Sequence, residues 1–404
     1  MSDDNDVEQL RDRVDELEEA LRAATEVNRY LATEVERLSL DNDGLTQHIH
    51  RLLKRLKPES SSGIHSEFEK FSLKDLENEA DTNTPLSIVS TKDWAKLTAH
   101  GRNQGWLIDP TQVNLGAIAG EGAFGATHKG IWRGAECAVK VVKPEGSSAE
   151  AFARELSTLA LVRHRNIVNL YGAVIHPPEK CWLICEWLPG GTLSEWLHGK
   201  PGGRRPTRSL LDRLLMALDV ACGLEALEQH DPPILHRDLK PANIMIDASG
   251  RAKVSDMGLS RVLTPEALME LTPETGSYRY MAPEVVRHEL YATQADVWSW
   301  GCLVSELLTG MQPYSERHLT PIQVALAVCD GGMRPVVPAN CPPGLAELLV
   351  SILDADPMVR PSAAVCAEVM RRVVEEEERK EAAERGVAAG VAAAWNRWMT
   401  KPSP

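Results

Sequence analysis

Residues 234–245 form a polar segment between two apolar ends, and their side chains are of the types that phosphoryl transfer requires. Asp238 can orient a hydroxyl group and accept its proton. Lys240 follows two residues later and can neutralise negative charge on a group in transfer. Asn243 offers an amide oxygen, a hard ligand suited to Mg²⁺. The pattern predicts a catalytic loop held over a hydrophobic core.

Two further charged residues extend this set. Asp256 ends a short strand-like run, where its carboxylate can hold Mg²⁺ between the β- and γ-phosphates of a nucleotide. Lys140 lies inside an apolar strand run, where its charge is costly unless an anion pairs with it. Nucleotide phosphates and Glu155, in a helical segment, are both possible anions. The alternative is a surface lysine whose stem lies along the strand.

A glycine-rich segment precedes Lys140 and consists of Gly120, Glu121, Gly122, Ala123, Phe124 and Gly125. Glycines allow backbone N–H groups to approach phosphates where a Cβ would clash. The same spacing occurs in dinucleotide-binding folds, but there it opens a helix. Here residues 128–132 continue as a strand and Gly134 turns the chain. The sequence therefore favours a β-hairpin that covers a nucleotide.

The elements that must position these residues change in type along the chain. Strand-like runs come first, at residues 113–118, 126–132, 137–142 and 181–186. Long helical patterns follow, at residues 210–229 and 295–308. A β-rich part followed by a helix-rich part predicts an α+β fold with two lobes.

In order, these motifs resemble the eukaryotic protein kinase family. The glycine-rich loop, Ala138-Val-Lys140, Glu155, His236-Arg-Asp238, Asn243, Asp256-Met-Gly258 and Ala282-Pro-Glu284 occur at compatible spacings. The resemblance covers roughly residues 113–370. It implies the bilobal protein-kinase fold, with an N-lobe at about 106–188 and a C-lobe at about 189–372 within a kinase domain at 106–372.

Within this family, residues 106–110, 131–134 and 276–281 resemble the tyrosine-kinase-like group, which includes Raf-like and plant-type members. Most members of that group phosphorylate serine or threonine. Lys240 and Ser277 fit this specificity, because tyrosine kinases usually carry arginine near the first position and proline near the second. The resemblance implies a serine/threonine kinase that uses ATP and Mg²⁺ and acts on protein substrates. The alternative is a pseudokinase or coiled-coil scaffold.

The resemblance also assigns roles to individual residues. It implies the catalytic residues Asp238, Lys240, Asn243, Lys140 and Glu155, and the Mg²⁺ ligands Asn243 and Asp256. It implies an ATP site formed by Gly120, Glu121, Gly122, Ala123, Phe124, Gly125, Thr127, Ala138, Lys140, Cys185, Glu186, Leu188 and Met245. In this site Cys185 is the gatekeeper, and Glu186 and Leu188 offer hinge backbone groups to adenine.

Structural roles follow from the same resemblance. Glu284 is expected to pair with Arg360, and Asp296 to cap the catalytic loop. Leu159, Leu170, His236 and Met257 are expected to form an apolar stack that links the lobes. Two residues depart from the family pattern. Met257 replaces the usual phenylalanine, and Thr127 replaces the usual valine over the adenine.

Regulation is expected at the activation loop, residues 259–280, because Arg237 resembles the arginine that receives a phosphorylated loop residue. Thr272 and Thr275 are the best candidates in that loop. The alternative is that both are ordinary loop threonines with no regulatory role.

Residues 1–57 predict a coiled coil. Of the fifteen a and d positions counted from Val7, thirteen are apolar and two, both at a, are Asn28 and Asn42. A seam that repeats every 3.5 residues requires a partner helix that supercoils with it. We expect a homodimer, although the heptads leave open a different partner chain or a single amphipathic helix. Residues 58–105 are expected to be a flexible linker, and residues 373–404 a helical C-terminal extension.

Bulk composition excludes some classes of function. The formal net charge of −14 argues against nucleic-acid binding. The eight cysteines form no CxxC pair, and the N-terminus lacks the apolar region of a signal peptide. We find no apolar run long enough to span a membrane. The sequence therefore predicts a cytoplasmic protein, with the nucleus not excluded.

Overall fold

The computed structural model describes residues 91–122, 125–143, 147–176, 180–200, 202–263, 277–317 and 319–399. The predicted coiled coil at 1–57, the first part of the predicted linker, and Ala123 and Phe124 of the glycine-rich loop lie outside these residues. So do Thr272 and Thr275 of the activation loop.

The N-lobe is built on a five-stranded antiparallel sheet with strand order β1-β2-β3-β5-β4. Its strands are β1 Val113–Gly122, β2 Gly125–Trp132, β3 Ala135–Val142, β4 Leu170–His176 and β5 Lys180–Glu186. The four predicted strands are confirmed. β4 is additional: its sequence, LYGAVIH, is a short and mainly apolar run, which periodicity alone cannot distinguish from a buried helical segment.

Both faces of this sheet are apolar. Cys137 and Val139 of β3 are fully buried on one face, in a cluster with Ile108 and Trp182. Successive side chains of a strand point to opposite faces. Lys140 therefore points to the other face, against which helix α2 (Ser147–Leu161) packs.

A helix named α1 (Thr91–Gln104) precedes the sheet. The prediction of a linker over 58–105 is wrong for these residues. The segment is mostly polar, but Trp94 and Leu97 pack it against the core of the N-lobe. Trp94 is buried in a cluster with Trp106, Phe152 and Leu156.

The C-lobe is helical. Its helices are α3 Leu193–His198, α4 Leu210–Glu228, α5 Pro283–Val286, α6 Gln294–Thr309, α7 Pro321–Cys329, α8 Pro343–Ile352 and α9 Ala363–Met399. The described short strands are β6 Ile234–Leu235, β7 Ile244–Ile246, β8 Ala252–Val254 and β9 Arg261–Val262, and they pair as β6–β9 and β7–β8. The predicted bilobal α+β fold is confirmed.

Helices α4 and α6 form the centre of this lobe. α4 begins at a capping box, in which the side chains of Ser209 and Asp212 each accept from the other's backbone N–H. α6 is buried along almost its whole length, and Trp298 and Trp300 are among the largest fully buried side chains. A helix that is apolar on all sides belongs inside a domain. The catalytic segment between α4 and α6 in the chain is thus supported from below by a rigid core.

The last helix, α9, continues to Met399, as the predicted helical extension requires. Its first turns pack on α4 and α8. The side chains of Trp395 and Trp398 lie outside those that the structure describes. None of the described helices is long and apolar enough to cross a membrane.

A buried ion pair joins α5 to the segment before α9. Arg360 Nη1 and Nη2 donate to Glu284 Oε1 and Oε2 at 2.6 and 2.8 Å, and both side chains are 1% exposed or less. Arg360 also donates to the backbone carbonyls of Asp354 and Gln294. The predicted pair is confirmed. Two parallel bonds fix its geometry and satisfy both charges.

We predict that Arg360→Met destabilises the protein by about 3–5 kcal/mol, because it leaves the carboxylate of Glu284 buried without its partner. The midpoint of thermal unfolding is expected to fall by roughly 10 °C. The matched control is Arg372→Met. Arg372 pairs with Glu368 on the surface, where its side chain is 70% exposed, and its loss is expected to change stability little. Equal midpoints for the two variants would contradict the prediction.

Candidate active site

The charged centre of the site is an ion-pair network of three residues. Lys140 Nζ on β3 donates to Glu155 Oε2 on α2 at 2.7 Å and to Asp256 Oδ1, beyond β8, at 3.1 Å. The Glu155 side chain is 8% exposed, whereas that of Asp256 is 39% exposed and opens towards solvent. The lysine thus joins the sheet, the helix and the C-lobe. The alternative of a surface lysine is excluded.

Burial and neighbouring charges have opposite effects on the pKa values of these three residues. Burial alone would lower the pKa of Lys140, but the carboxylates of Glu155 and Asp256 outweigh it and raise that pKa above its ordinary value. Burial raises the pKa of Glu155, and Lys140 offsets only part of this effect. Burial also favours a higher pKa for Asp256, but Lys140 prevails and lowers it. Lys140 and Asp256 therefore both carry charge at neutral pH.

Asp256 is held in an uncommon backbone conformation. Its φ and ψ angles are 61° and 66°, in the left-handed region, and a 3₁₀ turn from Met257 to Leu259 follows directly. Such a conformation costs free energy for a residue other than glycine and persists only where the surrounding structure enforces it. Here Met257 is fully buried beneath it.

Met257 belongs to the same buried cluster as Leu159, with Leu170 packed against that cluster, and His236 is fully buried. The members of the predicted apolar stack thus all lie in the interior between the lobes. Replacement of the family's usual phenylalanine by methionine keeps this position apolar.

The catalytic loop is ordered by a carboxylate from α6. The backbone N–H groups of His236 and Arg237 donate to Asp296 Oδ2 and Oδ1 at 2.6 and 2.9 Å. Arg237 has a φ of 72°. Burial raises the pKa of Asp296, an effect that these two bonds and nearby positive charge oppose. The predicted cap is confirmed, and it stabilises a loop conformation that is strained in isolation.

Asp238 lies at the centre of this loop. Lys240 Nζ donates to Asp238 Oδ2 at 2.8 Å, and Asn243 Nδ2 donates to the same oxygen at 2.8 Å. Ser277 Oγ lies 3.5 Å from the other carboxylate oxygen, Oδ1, too long for a strong hydrogen bond. One oxygen of Asp238 is thus occupied by cationic and amide donors, and the other is left for a further donor.

Backbone bonds connect the two halves of the site. Ser255 N–H and Oγ both donate to Asn243 O, at 2.9 and 2.8 Å, and His236 Nε2 lies 2.9 Å from Ser255 O. Ser255 precedes Asp256 in the chain. The loop with Asp238 and the strand end with Asp256 therefore form one hydrogen-bonded unit.

The side-chain oxygens of Asp256 and Asn243 are suitable ligands for Mg²⁺. The carboxylate of Asp256 is ionised and partly open to solvent. Asn243 uses both amide hydrogens on Asp238, through Oδ2 and the backbone carbonyl. This fixes the amide so that its oxygen faces away from Asp238. A carboxylate and an amide oxygen match the preference of Mg²⁺ for hard ligands.

The glycine-rich segment forms the β1–β2 hairpin. Gly120 lies opposite Thr127 in the ladder, Glu121 opposite Ala126, and Gly122 opposite Gly125. At Gly125, with a φ of 145°, an added Cβ would stand 2.0 Å from Val141 O, so only glycine fits. The segment continues as a strand and opens no helix, which confirms the hairpin and rejects the dinucleotide-binding alternative.

Several predicted ATP-site residues lie on adjacent strands beside Lys140. Thr127 faces Lys140 across the β2–β3 ladder, and Ala138 faces Cys185 across the β3–β5 ladder. Leu188, just beyond β5, is buried, and Met245 on β7 is half-buried against the C-lobe core. Burial raises the pKa of the Cys185 thiol well above its ordinary value, so this cysteine is a neutral apolar wall and not a reactive thiol.

Glu186 has a contact that the sequence analysis missed. Its carboxylate accepts from Lys253 Nζ on β8 at 2.8 Å and from the backbone N–H of Asn169 at 2.8 Å. The side chains of Lys253 and Glu186 are 8% and 17% exposed. Lys253 lies in an apolar strand run, as Lys140 does, so the same cost of an unpaired buried charge could have predicted a partner for it.

Comparison with known proteins agrees with this geometry. A family profile described as protein tyrosine and serine/threonine kinase matches residues 113–370. The serine/threonine-protein kinase STY46 of Arabidopsis thaliana is 37% identical over 302 residues, which are 73% of this chain and 51% of that protein. STY17 of the same plant is 34% identical over 339 residues, 83% of this chain and 55% of that protein.

Relatives also occur outside plants. The probable serine/threonine-protein kinase drkA of Dictyostelium discoideum is 35% identical over 270 residues, 66% of this chain and 40% of that protein. The chain spans about half the length of STY46 and of STY17, and less than half the length of drkA. The profile covers more than half of the chain and contains the whole hydrogen-bonded unit around Asp238 and Asp256. The chain therefore belongs to the protein tyrosine and serine/threonine kinase family.

Proposed function

We propose that this protein is a serine/threonine kinase that transfers the γ-phosphoryl group of ATP to hydroxyl groups of protein substrates. The observation that carries the proposal is the presence of every charged group that the reaction needs, arranged in one connected site. Lys140 is fixed between Glu155 and Asp256, and Asp238 is bonded to Lys240.

Asp238 acts as the base. Its Oδ2 is held by Lys240 and Asn243, so its Oδ1 receives the hydroxyl proton of the substrate. The substrate oxygen forms a bond to the γ-phosphorus as the bond from that phosphorus to the bridging oxygen of ADP breaks. The proton passes from the substrate to Asp238 and then to solvent.

Lys240 and Lys140 supply positive charge on the two sides of the transferring group. Lys240 remains within hydrogen-bonding distance of Asp238 and neutralises charge on the γ-phosphoryl oxygens. Lys140 holds the phosphates of ATP, while Glu155 fixes its ammonium group in place. Catalysis here is positioning and charge neutralisation, with little covalent chemistry from the protein.

Asp256 and Asn243 would hold the Mg²⁺ ion that accompanies ATP. A bound magnesium ion neutralises phosphate charge and orients the β- and γ-phosphates. The β1–β2 hairpin covers the phosphates, and the adenine lies among Thr127, Ala138, Cys185 and Met245, with backbone groups of Glu186 and Leu188 at the hinge.

A scaffold or pseudokinase is the second candidate. It would use the lobes for docking only. Such proteins commonly lack one of the charged residues, whereas all of them are present and paired here. The intact charged set favours the kinase.

We also propose that the activation loop regulates activity. Arg237 already contacts Tyr291 Oη at 2.9 Å and Leu259 O at 3.4 Å. A phosphothreonine at 272 or 275 would add a dianion that Arg237 can bind, and so order the loop.

A homodimer through residues 1–57 would place two kinase domains at high local concentration and favour phosphorylation of one by the other. The eight free thiols support the cytoplasm as its location.

We predict that Asp238→Asn lowers the phosphorylation rate by about 10²–10⁴-fold, because the amide cannot accept the proton. The measurement is phosphate transfer to a protein substrate with the sites identified by mass spectrometry. The fold and ATP binding are expected to persist. The control, Asp330→Asn, changes an exposed aspartate at the end of α7 and is expected to keep wild-type activity. Phosphotyrosine as the main product, or unchanged transfer by Asp238→Asn, would refute the proposal.

A second prediction concerns the activation loop. The double variant Thr272→Ala/Thr275→Ala is expected to lose at least about tenfold in activity, since a phosphate–arginine contact contributes charge-assisted hydrogen bonds. Thr264→Ala in the same loop serves as the control, because Thr264 also precedes a proline. Full activity of the double variant, with wild-type protein phosphorylated beforehand, would exclude this regulation.

A third prediction concerns the dimer. Leu17→Glu/Leu31→Glu places two charges at predicted d positions and is expected to halve the mass measured by sedimentation at micromolar concentration. Ala23→Glu/Thr33→Glu adds the same charges at predicted outer positions and should leave a dimer. A wild-type mass equal to one chain would end the dimer proposal.

A further inference from the structure

Helix α2 carries Glu155, so its position decides whether Lys140 keeps its partner. One side of α2 is fixed by the segment after Asp256. Arg154 Nη1 donates to Gly258 O at 3.2 Å, and Thr158 Oγ1 lies 2.8 Å from Ser260 Oγ. These bonds belong to the site described above.

Another side of α2 contacts α1, which lies outside the segment matched by the family profile. The rings of Trp94 and Phe152 are 5.8 Å apart and inclined at 45°. Trp94 is 7% exposed and Phe152 is 1% exposed. Phe152 stands one helical turn before Glu155, and residues three apart on a helix are neighbours. The aromatic contact therefore adjoins the turn that carries the carboxylate.

The other end of α1 is anchored to the sheet. The ring of Trp106 lies against Gly101, where an added Cβ would stand 2.4 Å from the ring. Trp106 O accepts from Ala173 N–H of β4 at 2.9 Å, and Ile108 N–H donates back to Ala173 O at 2.8 Å. α1 is thus tied to β4 at one end and to α2 at the other. It can transmit support from the sheet to the helix.

We propose that Trp94 is a positioning residue for the Lys140–Glu155 ion pair and acts through Phe152. Lys140 has two carboxylate partners, at 2.7 and 3.1 Å. When α2 shifts and Glu155 withdraws, Lys140 remains on Asp256 alone. Asp256 then interacts with Lys140 at the expense of the magnesium ion that it would hold. The consequence is weaker binding of ATP with Mg²⁺. The kinetic part of this inference depends on the proposed kinase activity, but the binding part does not.

The test uses the full-length chain and calorimetric titration with MgATP. Trp94→Ala is expected to weaken binding by about threefold to tenfold, the range typical of residues that couple to a site without touching the ligand. Lys96→Ala on the exposed side of α1 is the matched control and should bind as wild type does. Trp94→Phe retains an aromatic ring and should restore most of the affinity. Equal affinities for Trp94→Ala and Lys96→Ala would overturn the inference.

A double-mutant cycle separates positioning from general loosening of the lobe. In a Glu155→Gln background, Trp94→Ala should change the affinity by less than about twofold, because both substitutions act on the same pair. If the fold-losses in affinity caused by Trp94→Ala and Glu155→Gln multiply in the double variant, Trp94 acts elsewhere and the inference fails. Should Trp94→Ala unfold, as its thermal midpoint would reveal, Phe152→Leu tests the contact from the other side with the same expectations.

The outcomes also distinguish this inference from the proposed function. Wild-type protein that binds MgATP but transfers no phosphate refutes the proposed kinase activity. The role of Trp94 is then decided by the MgATP affinities of the double-mutant cycle. Active wild-type protein with no effect of Trp94→Ala refutes only the inference. Wild-type protein that binds no MgATP refutes both.

Discussion

A positive charge inside an apolar sheet must be neutralised, and at Lys140 this requirement organises the site. The positions around Lys140 in the sheet supply no anion: its neighbours on β3 are cysteine, alanine and valine, and it lies opposite Thr127 and Leu183. One carboxylate comes from α2 and the other from the end of β8. Because breaking a buried pair costs far more than its net contribution to stability, the pairing favours the arrangement in which the three elements lie in register. The same geometry leaves Asp256 partly exposed, where a ligand can reach it.

The catalytic loop shows a second use of a buried carboxylate. Asp296 is 4% exposed and takes both its hydrogen bonds from backbone N–H groups of the loop. Those bonds offset the strain of the positive φ at Arg237. Asp296 thus shapes the loop from beneath, while Lys240 and Asn243 fix the carboxylate of Asp238. Function and rigidity are thus separated: α6 supplies the order, and the loop supplies the chemistry.

Much of this arrangement could be predicted from the sequence, because the charged residues stand in strongly patterned surroundings. Lys140, Asp238 and Asp256 each interrupt or end an apolar run, and the cost of burying a charge predicts their pairing. The partners of such pairs are harder to predict, because they lie far apart in the chain; Glu186 and Lys253 are an example. α1 was missed for a different reason. Its residues are mostly polar, and its folding depends on tertiary contacts of Trp94, which local propensity does not report.

The short strand β8 provides a second support for α2, in addition to its contact with α1. Val254 O accepts from Val168 N–H at 2.9 Å, Val254 N–H donates to Asn166 O at 2.8 Å, and Asn166 Nδ2 donates to Ala252 O at 2.9 Å. The segment that follows α2 is therefore bonded to the C-lobe, which anchors the C-terminal end of α2. Ala149, Phe152 and Leu156 of α2 pack in the cluster with Trp94. Bonds to the C-lobe on one side and the cluster with Trp94 on the other therefore both bear on the position of Glu155.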